Sequence, residues 1–298
     1  MDGAQWQGPS PPCSSVSSSH LESASVELDV MEPRGTAENA PTVAEALRTY
    51  DAQSAAIYDH LELRDGSIAA INGFVVRTLR DSGRVERVLD MTCGTGAQVI
   101  ALVAAGFKVT ASDLSGEMLR LARAKFADAG YDIPTHQADM RDVSLGRFDA
   151  IISMYNAIGH LRPDEFRMAC ANAADHLGDG GIYIFDIFDR DAMGHVPTHE
   201  MLDTAMEVGQ SRYARFSTME FNRKSGVLHL RQKTFEQKEV SKLRLLQHDY
   251  TLQTYSREEL IDTLSGSGFS DIRILRVPEA APGFNALGQL MHIAIARR

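Results

Sequence analysis

Short apolar runs alternate with amphipathic helical stretches between residues 88 and 187 of this chain. The runs predict five strands, at 88–90, 108–112, 133–137, 148–153 and 182–187. Helical periodicity follows the first, second and fourth strands, in helices that begin near Ala97, Ser115 and Pro163. This alternation predicts an α/β fold with a doubly wound, Rossmann-like and mainly parallel sheet.

Different patterns flank this region. A helix over 42–61, capped by Thr42, and a second helix over 67–79 are predicted before the first strand. After the fifth strand, residues 206–255 alternate with period two and predict three long antiparallel strands, with turns at 222–226 and 239–242. A helix capped by Ser256, a strand at 269–277, a loop at 278–286 and an antiparallel last strand at 289–296 complete the pattern.

The patterns also predict how the chain divides. Residues 1–40 are poor in large apolar side chains and rich in Ser and Pro from 10 to 25, which is typical of a disordered tail. Residues 41–298 then form one domain. Within it, residues 206–255 are predicted to be an inserted small antiparallel sheet that lies over the pocket and contacts substrate or a second subunit.

Composition and charge limit the classes of partner that are expected. The 298 residues carry a formal net charge of -10, which argues against a nucleic-acid partner. No apolar run reaches the roughly 18 residues of a membrane span, and no secretory signal is recognisable at the N-terminus. The three cysteines give neither a disulfide framework nor zinc spacing, so a reducing, cytoplasmic location is expected.

The glycine-containing loop after the first strand is the strongest chemical signal. Gly94 and Gly96 permit a tight turn and a close approach to a ligand, and Asp90 stands at the end of the strand. Asp113 ends the next strand, 19 positions after Gly94, which is about where such sheets place an acid for ribose hydroxyls. A dinucleotide site would need a third glycine where Val99 stands, so an adenosine-type ligand is favoured.

The segment from Asp90 to Gly96 resembles the first motif of the class I S-adenosylmethionine-dependent methyltransferases, with Thr92 as a departure. The resemblance implies that S-adenosylmethionine is the cofactor and that Asp139 receives the adenine amino group, although a solvated turn would also explain an Asp there. The cofactor-binding residues implied in this way are Asp90, Met91, Thr92, Gly94, Gly96, Asp113, Leu114, Asp139, Met140 and Met154.

Two further segments, 139–142 and 158–161, resemble small-molecule N-methyltransferases that act on amino sugars and on glycine-type amines. The resemblance makes His160 and Tyr58 the catalytic candidates, and His160 would orient the acceptor or take its proton at a pKa near neutrality. Tyr50, Asn156 and His160 are the substrate-binding candidates. The alternatives are that the tyrosines only pack helices together and that His160 is held by backbone behind the site.

The predicted activity is methyl transfer to a small-molecule amine, and a homodimer is a candidate assembly. O- or C-methylation, a nicotinamide-dependent oxidoreductase and a non-catalytic ligand-binding protein are the alternatives that the sequence leaves open. No metal site is predicted, because Pro197 breaks any helix that would bring His195 and His199 onto one face.

Overall fold

The computed structural model describes residues 25–28, 40–62, 67–194, 198–239, 242–280 and 286–298. Its strands are β1 (Ser25–Leu28), β2 (Arg87–Asp90), β3 (Lys108–Asp113), β4 (Thr135–Gln137), β5 (Phe148–Ser153), β6 (Leu177–Phe188), β7 (Met201–Val208), β8 (Ser211–Asn222), β9 (Val227–Glu239), β10 (Lys242–Gln253), β11 (Ser270–Arg276) and β12 (Met291–Arg297). Its helices are α1 (Val43–Thr49), α2 (Ala52–Glu62), α3 (Ser67–Asp81), α4 (Ala97–Ala104), α5 (Gly116–Asp128), α6 (Pro163–His176), α7 (Arg190–Met193), α8 (Arg257–Gly266) and α9 (Val277–Ala280). Two 3₁₀ turns cover Ala157–His160 and Ala286–Leu290.

The central sheet has seven strands in the order β11-β12-β6-β5-β2-β3-β4. Strands β2 to β6 pair in parallel, whereas β12 lies antiparallel between β6 and β11. The predicted doubly wound sheet with an antiparallel last strand is therefore confirmed. Since the order reverses between β2 and β5, the carboxyl ends of these two strands flank the crevice where such sheets bind ligands.

The apolar core occupies both faces of this sheet. Along β5, Ala150 and Ile152 pack with helices α3, α4 and α5, while Ile151 packs with α6 and α8 on the other face. Successive side chains of a strand point to opposite faces, so a strand buried on both sides is apolar throughout. This packing fixes the ends of β2 and β5 and the loops that follow them.

A second sheet has the order β1-β10-β9-β8-β7 and is antiparallel except for β1, which runs parallel to β10. The predicted inserted sheet is confirmed, and so is its first turn, where the Asn222 side chain accepts from the backbone of Lys224 and Ser225. It has four strands after residue 200 instead of the predicted three, because 201–208 also pairs. Leu228, Leu230 and Leu252 join the core on the α3 side of the central sheet.

Some predicted boundaries are wrong. The helix predicted over 42–61 is two helices, because Asp51 accepts from the backbone of Gln53 and Ser54 and starts α2 anew. The strand predicted at 182–187 begins earlier, at Leu177, so residues 178–181 are part of β6, where Gly180 has a φ of 73° and the register with β5 shifts. Strand β1 lies within the predicted tail, and α9 and a 3₁₀ turn occupy the ends of the predicted loop at 278–286.

Some predictions concern residues outside the described ranges. The rest of the 1–40 tail, His195 and the centre of the second turn at 239–242 lie outside the described residues. Within the described ranges, none of the helices has both the length and the apolar character that crossing a membrane requires.

Candidate active site

The glycine-containing loop joins β2 to α4 at the carboxyl edge of the sheet. Gly94 and Gly96 have φ values of 52° and 86°, which L-residues with a side chain rarely adopt. A Cβ on Gly96 would lie 2.4 Å from Phe126, whereas a Cβ on Gly94 would meet no atom within 4 Å. Gly96 therefore serves packing, and Gly94 leaves an open cradle in front of the loop.

Asp113 lies beside this cradle at the end of β3. Its two carboxylate oxygens accept from the backbone N–H groups of Gly94 and Ser115, each at 2.8 Å. Burial raises the pKa of Asp113 to about 6, against the lowering effect of these hydrogen bonds. A carboxylate offers about four lone-pair positions, so two remain for a ligand such as a ribose diol.

Asp90, the last residue of β2, supports the same loop. It is buried and accepts from the Thr92 backbone N–H at 3.1 Å. Burial raises the pKa of Asp90 to about 8, and the neighbouring Asp113 adds to the increase. Asp90 and Gly96 do not line the cleft itself, so their role is to shape the loop.

The cleft in front of the loop has a volume of about 940 Å³. Most of the predicted cofactor-binding residues line it, namely Met91, Thr92, Gly94, Asp113, Leu114, Asp139, Met140 and Met154. Asp139 is held by Arg141, whose guanidinium donates to it at 2.6 and 3.0 Å. Burial raises the pKa of Asp139, but these hydrogen bonds and the charge of Arg141 outweigh it and lower the pKa overall.

The loop after β5 has an unusual backbone. Tyr155 and Asn156 have φ values of 63° and 58°, a conformation that costs free energy for residues other than glycine. The surroundings hold them there: the Asn156 backbone N–H donates to Asp186 at 2.8 Å, and its side-chain oxygen accepts from the Phe188 N–H at 3.1 Å. The Tyr155 hydroxyl donates to Asn72 at 2.6 Å.

A second cavity of about 1280 Å³ adjoins the cleft. It lies between the central sheet and the inserted sheet, since it is lined by Phe188 from β6 and by Leu228, Leu230 and Leu252. Four residues line both spaces, and these are Tyr50, Tyr58, Tyr155 and His160. We call these four residues the junction.

The junction holds three of the predicted catalytic and substrate-binding residues together. The Tyr50 hydroxyl and His160 Nε2 are 3.0 Å apart, and the Tyr50 and Tyr58 ring centroids are 6.1 Å apart. Burial lowers the pKa of His160 to about 4, so the expected pKa near neutrality is wrong and the ring is neutral at pH 7. Burial raises the pKa of both Tyr50 and Tyr58, so both hydroxyls keep their protons.

Asn156, the remaining substrate-binding candidate, lines the second cavity only. This cavity also contains charged residues that sequence reasoning missed. Arg215 on β8 is buried and forms ion pairs with Asp203 on β7, at 2.9 Å, and with Glu62 on α2. Asp186, at the end of β6, is fully buried.

Burial raises the pKa of Asp186 to about 7. Burial therefore raises the pKa of three carboxyl groups, those of Asp90, Asp113 and Asp186, and we call these residues the high-pKa carboxylates.

Comparison with known proteins agrees with this geometry. Residues 88–181 match the family model described as a methyltransferase domain. A Streptomyces venezuelae dTDP-3-amino-3,4,6-trideoxy-alpha-D-glucopyranose N,N-dimethyltransferase is 33% identical over 46% of this chain and 58% of its own. Human glycine N-methyltransferase is 33% identical over 40% of this chain and 45% of its own. The chain therefore spans only about half the length of these curated relatives.

The fold has solved counterparts. A structure of an S-adenosylmethionine-bound amino pentose methyltransferase from Micromonospora echinaspora superposes with a TM-score of 0.63, at 22% identity, over 76% of this chain and 90% of the other. At that identity the likeness concerns the fold alone. The domain match confirms the prediction of a methyltransferase, because residues 88–181 match a methyltransferase domain. The fold is shared with an enzyme whose structure contains S-adenosylmethionine, the cofactor predicted from the sequence.

Proposed function

We propose that the protein transfers the methyl group of S-adenosylmethionine to the nitrogen of a small-molecule amine. The observation that carries the proposal is the junction, because it brings a nucleoside-type cleft and a second cavity with charged side chains to the same four side chains. A transferase for two substrates needs such a shared boundary, since reacting atoms must be held about 3–3.5 Å apart.

The residues of the cleft fit the cofactor. The open cradle over Gly94 has room for a ligand, and the free lone pairs of Asp113 match the hydroxyl donors of a ribose. Met140 and Leu114 supply apolar surface beside them. When bound, S-adenosylmethionine would supply a methyl group on a sulfonium. An acceptor that enters as an ammonium ion first loses one proton, to a cavity carboxylate or to water, and its nitrogen lone pair then displaces the neutral thioether in line as the C–S bond breaks.

The chain then contributes mainly positioning. Three tyrosine rings at the junction surround the boundary where the cationic sulfonium would lie, and aromatic faces stabilise cations. In the tautomer whose Nε2–H donates to the Tyr50 hydroxyl oxygen, neutral His160 keeps Nδ1 free to accept a hydrogen bond from the acceptor. Its low pKa makes it a weak base, so we assign it orientation of the acceptor as its main role.

The charges of the second cavity support an amine over a hydroxyl or carbon acceptor. Three carboxyl groups, from Glu62, Asp186 and Asp203, line this cavity together with one guanidinium, from Arg215. The cavity's histidines do not offset this excess, because burial lowers the pKa of both His160 and His248. An acidic cavity attracts an ammonium ion. The relatives' activities, on an amino sugar and on glycine, are in accord with this class of acceptor.

The test is methyl transfer from deuteromethyl-labelled S-adenosylmethionine to matched pairs of an amine and its alcohol analogue. The pairs include glucosamine with glucose and glycine with glycolate, and products are read by mass spectrometry. We expect labelled methyl groups on amines only. Labelling of the alcohols alone would contradict N-methylation and indicate O-methylation instead. Binding of NAD without binding of S-adenosylhomocysteine would contradict methyl transfer altogether.

We also propose that residues 41–298 act as one methyltransferase unit in which the inserted sheet is the lid over the acceptor. The lining of the second cavity by β8, β9 and β10 supports this. The homodimer and the cytoplasmic location remain predictions.

A further inference from the structure

Among the residues that the structure describes, Asp186 is the carboxylate of the second cavity without an ion-pair partner. The other carboxylates there, Glu62 and Asp203, both pair with Arg215. Asp186 Oδ1 accepts from the Asn156 backbone N–H at 2.8 Å, whereas Oδ2 has no hydrogen-bond partner within the part of the chain that the structure describes. A buried carboxylate oxygen without a partner is costly, so a stable fold keeps one where something else satisfies it.

The position of Asp186 places this unsatisfied atom close to the reacting groups. Asp186 lies two residues before the end of β6, at the carboxyl edge of the sheet, and its hydrogen bond holds the loop that carries Tyr155. Tyr155 belongs to the junction, so Asp186 lines the acceptor cavity next to the loop that carries a residue of the boundary with the cofactor cleft.

The loop geometry fixes Asp186 independently of any ligand. The Asn156 side chain bonds the Phe188 N–H while its backbone bonds Asp186, so the loop and the strand end clamp each other. A donor that reached Oδ2 would therefore meet a preorganised acceptor. Burial raises the pKa of Asp186 to about 7, and a bound cation would favour its charged form.

We propose that Asp186 Oδ2 binds the nitrogen of the acceptor, accepting a hydrogen bond from an amine that enters as an ammonium ion. The proposal rests on the proposed function and deepens it by assigning the residue that recognises the amine. Asp186 thereby positions the nitrogen beside the junction, while Arg215 and its partners lie elsewhere around the cavity.

The experiment uses benzylamine and benzyl alcohol as probes, because the cavity also presents apolar side chains such as Leu228, Leu252 and Met219. Their dissociation constants are measured by calorimetry on the full chain saturated with S-adenosylhomocysteine. The variant is Asp186→Asn, which keeps the volume and an oxygen for Asn156 but replaces Oδ2 by a donor. The matched control is Asp249→Asn, since Asp249 Oδ2 is likewise buried and has no hydrogen-bond partner among the described residues, but lies outside the cavity lining.

We expect benzylamine to bind the wild type and to bind Asp186→Asn at least tenfold more weakly. The control variant and the affinity of benzyl alcohol should change less than threefold. Equal benzylamine affinity in wild type and Asp186→Asn would overturn the proposal, as would a wild type that binds S-adenosylhomocysteine but not benzylamine. Failure of the wild type to bind S-adenosylhomocysteine would instead overturn the proposed function.

A second measurement covers an Asp186→Asn variant that does not fold. A crystal structure of the wild type with S-adenosylhomocysteine and benzylamine should place the nitrogen within hydrogen-bond distance of Asp186 Oδ2. A nitrogen bound at Glu62 or Asp203 instead would overturn the assignment.

Discussion

Replacing Asp113 by Asn should weaken the binding of S-adenosylhomocysteine without unfolding the protein. In the wild type, Oδ2 of Asp113 accepts from Gly94 and Oδ1 accepts from Ser115, each at 2.8 Å. The amide of Asn has only one oxygen, so its NH₂ group would face one of these N–H donors. The substitution also removes the negatively charged carboxylate that accepts hydrogen bonds from the ribose hydroxyls.

The size of the effect follows from that count. A hydrogen bond to a charged group contributes about 1.5–3 kcal/mol, and about 1.4 kcal/mol corresponds to tenfold in affinity. Loss of one such bond to the ribose therefore predicts an affinity about 10- to 100-fold lower. Asp113→Ala should have an effect at least as large, because it leaves both backbone donors without this acceptor.

Calorimetric titration with S-adenosylhomocysteine measures the change directly. Asp128→Asn is the matched control, because Asp128 is an exposed carboxylate at the end of α5. The control should bind as the wild type does. An Asp113→Asn affinity within threefold of the wild type, in a variant with an unchanged melting temperature, would refute the assignment of Asp113 to the ribose.

Three further outcomes are expected. Gly96→Ala should lower the free energy of unfolding by at least about 2 kcal/mol, because its Cβ would strike Phe126 at a φ of 86°, whereas Gly94→Ala should cost about 1 kcal/mol and chiefly weaken cofactor binding. Urea unfolding checks both, and equal losses of stability would contradict the distinction. Arg215→Met should cost about 2–4 kcal/mol, since it leaves two carboxylates unpaired in the cavity, while the exposed ion pair of Arg212 should contribute less than about 1 kcal/mol. The high-pKa carboxylates have a higher pKa in the folded protein than in the unfolded chain. Their contribution to the free energy of unfolding is therefore fully present below about pH 4, and it should be lost as the pH rises through their folded pKa values of about 6 to 8. Melting temperatures without ligand should therefore be lower at pH 8.5 than at pH 6, and an opposite trend would mean that these groups are ionised in the folded protein.

The cofactor side could be predicted from sequence because its determinants are local. Gly94 and Asp113 each follow a strand, and parallel strands bring their carboxyl ends to one edge, so the spacing alone places them together. The hydrogen bond between them confirms the juxtaposition. The helix caps at Thr42, Ser115 and Ser256 were predictable for the same reason, as each acts within three residues.

The charged residues of the acceptor side could not be predicted, although two of its tyrosines, Asn156 and His160 were candidates, because these charges come together from distant segments. Arg215 and Glu62 are 153 positions apart, and neither stands in a local pattern that distinguishes it from a surface residue. In the sequence Asp186 is one polar residue in an apolar strand, and only the folded loop shows that one of its oxygens has no hydrogen-bond partner among the described residues. The predicted pKa of His160 was wrong for a related reason. Its burial among Tyr50, Tyr250 and the inserted sheet depends on the tertiary fold, which the sequence around His160 does not show.

The measurement that tests the central claim most directly is a pair of titrations of the wild-type chain, with S-adenosylhomocysteine and with NAD. The structure predicts binding of the first at the cleft beside Gly94 and Asp113, and no binding of the second, because Val99 stands where a dinucleotide loop needs its third glycine. Binding of NAD without S-adenosylhomocysteine would contradict the assigned cofactor, and with it the methyl transfer proposed at the junction.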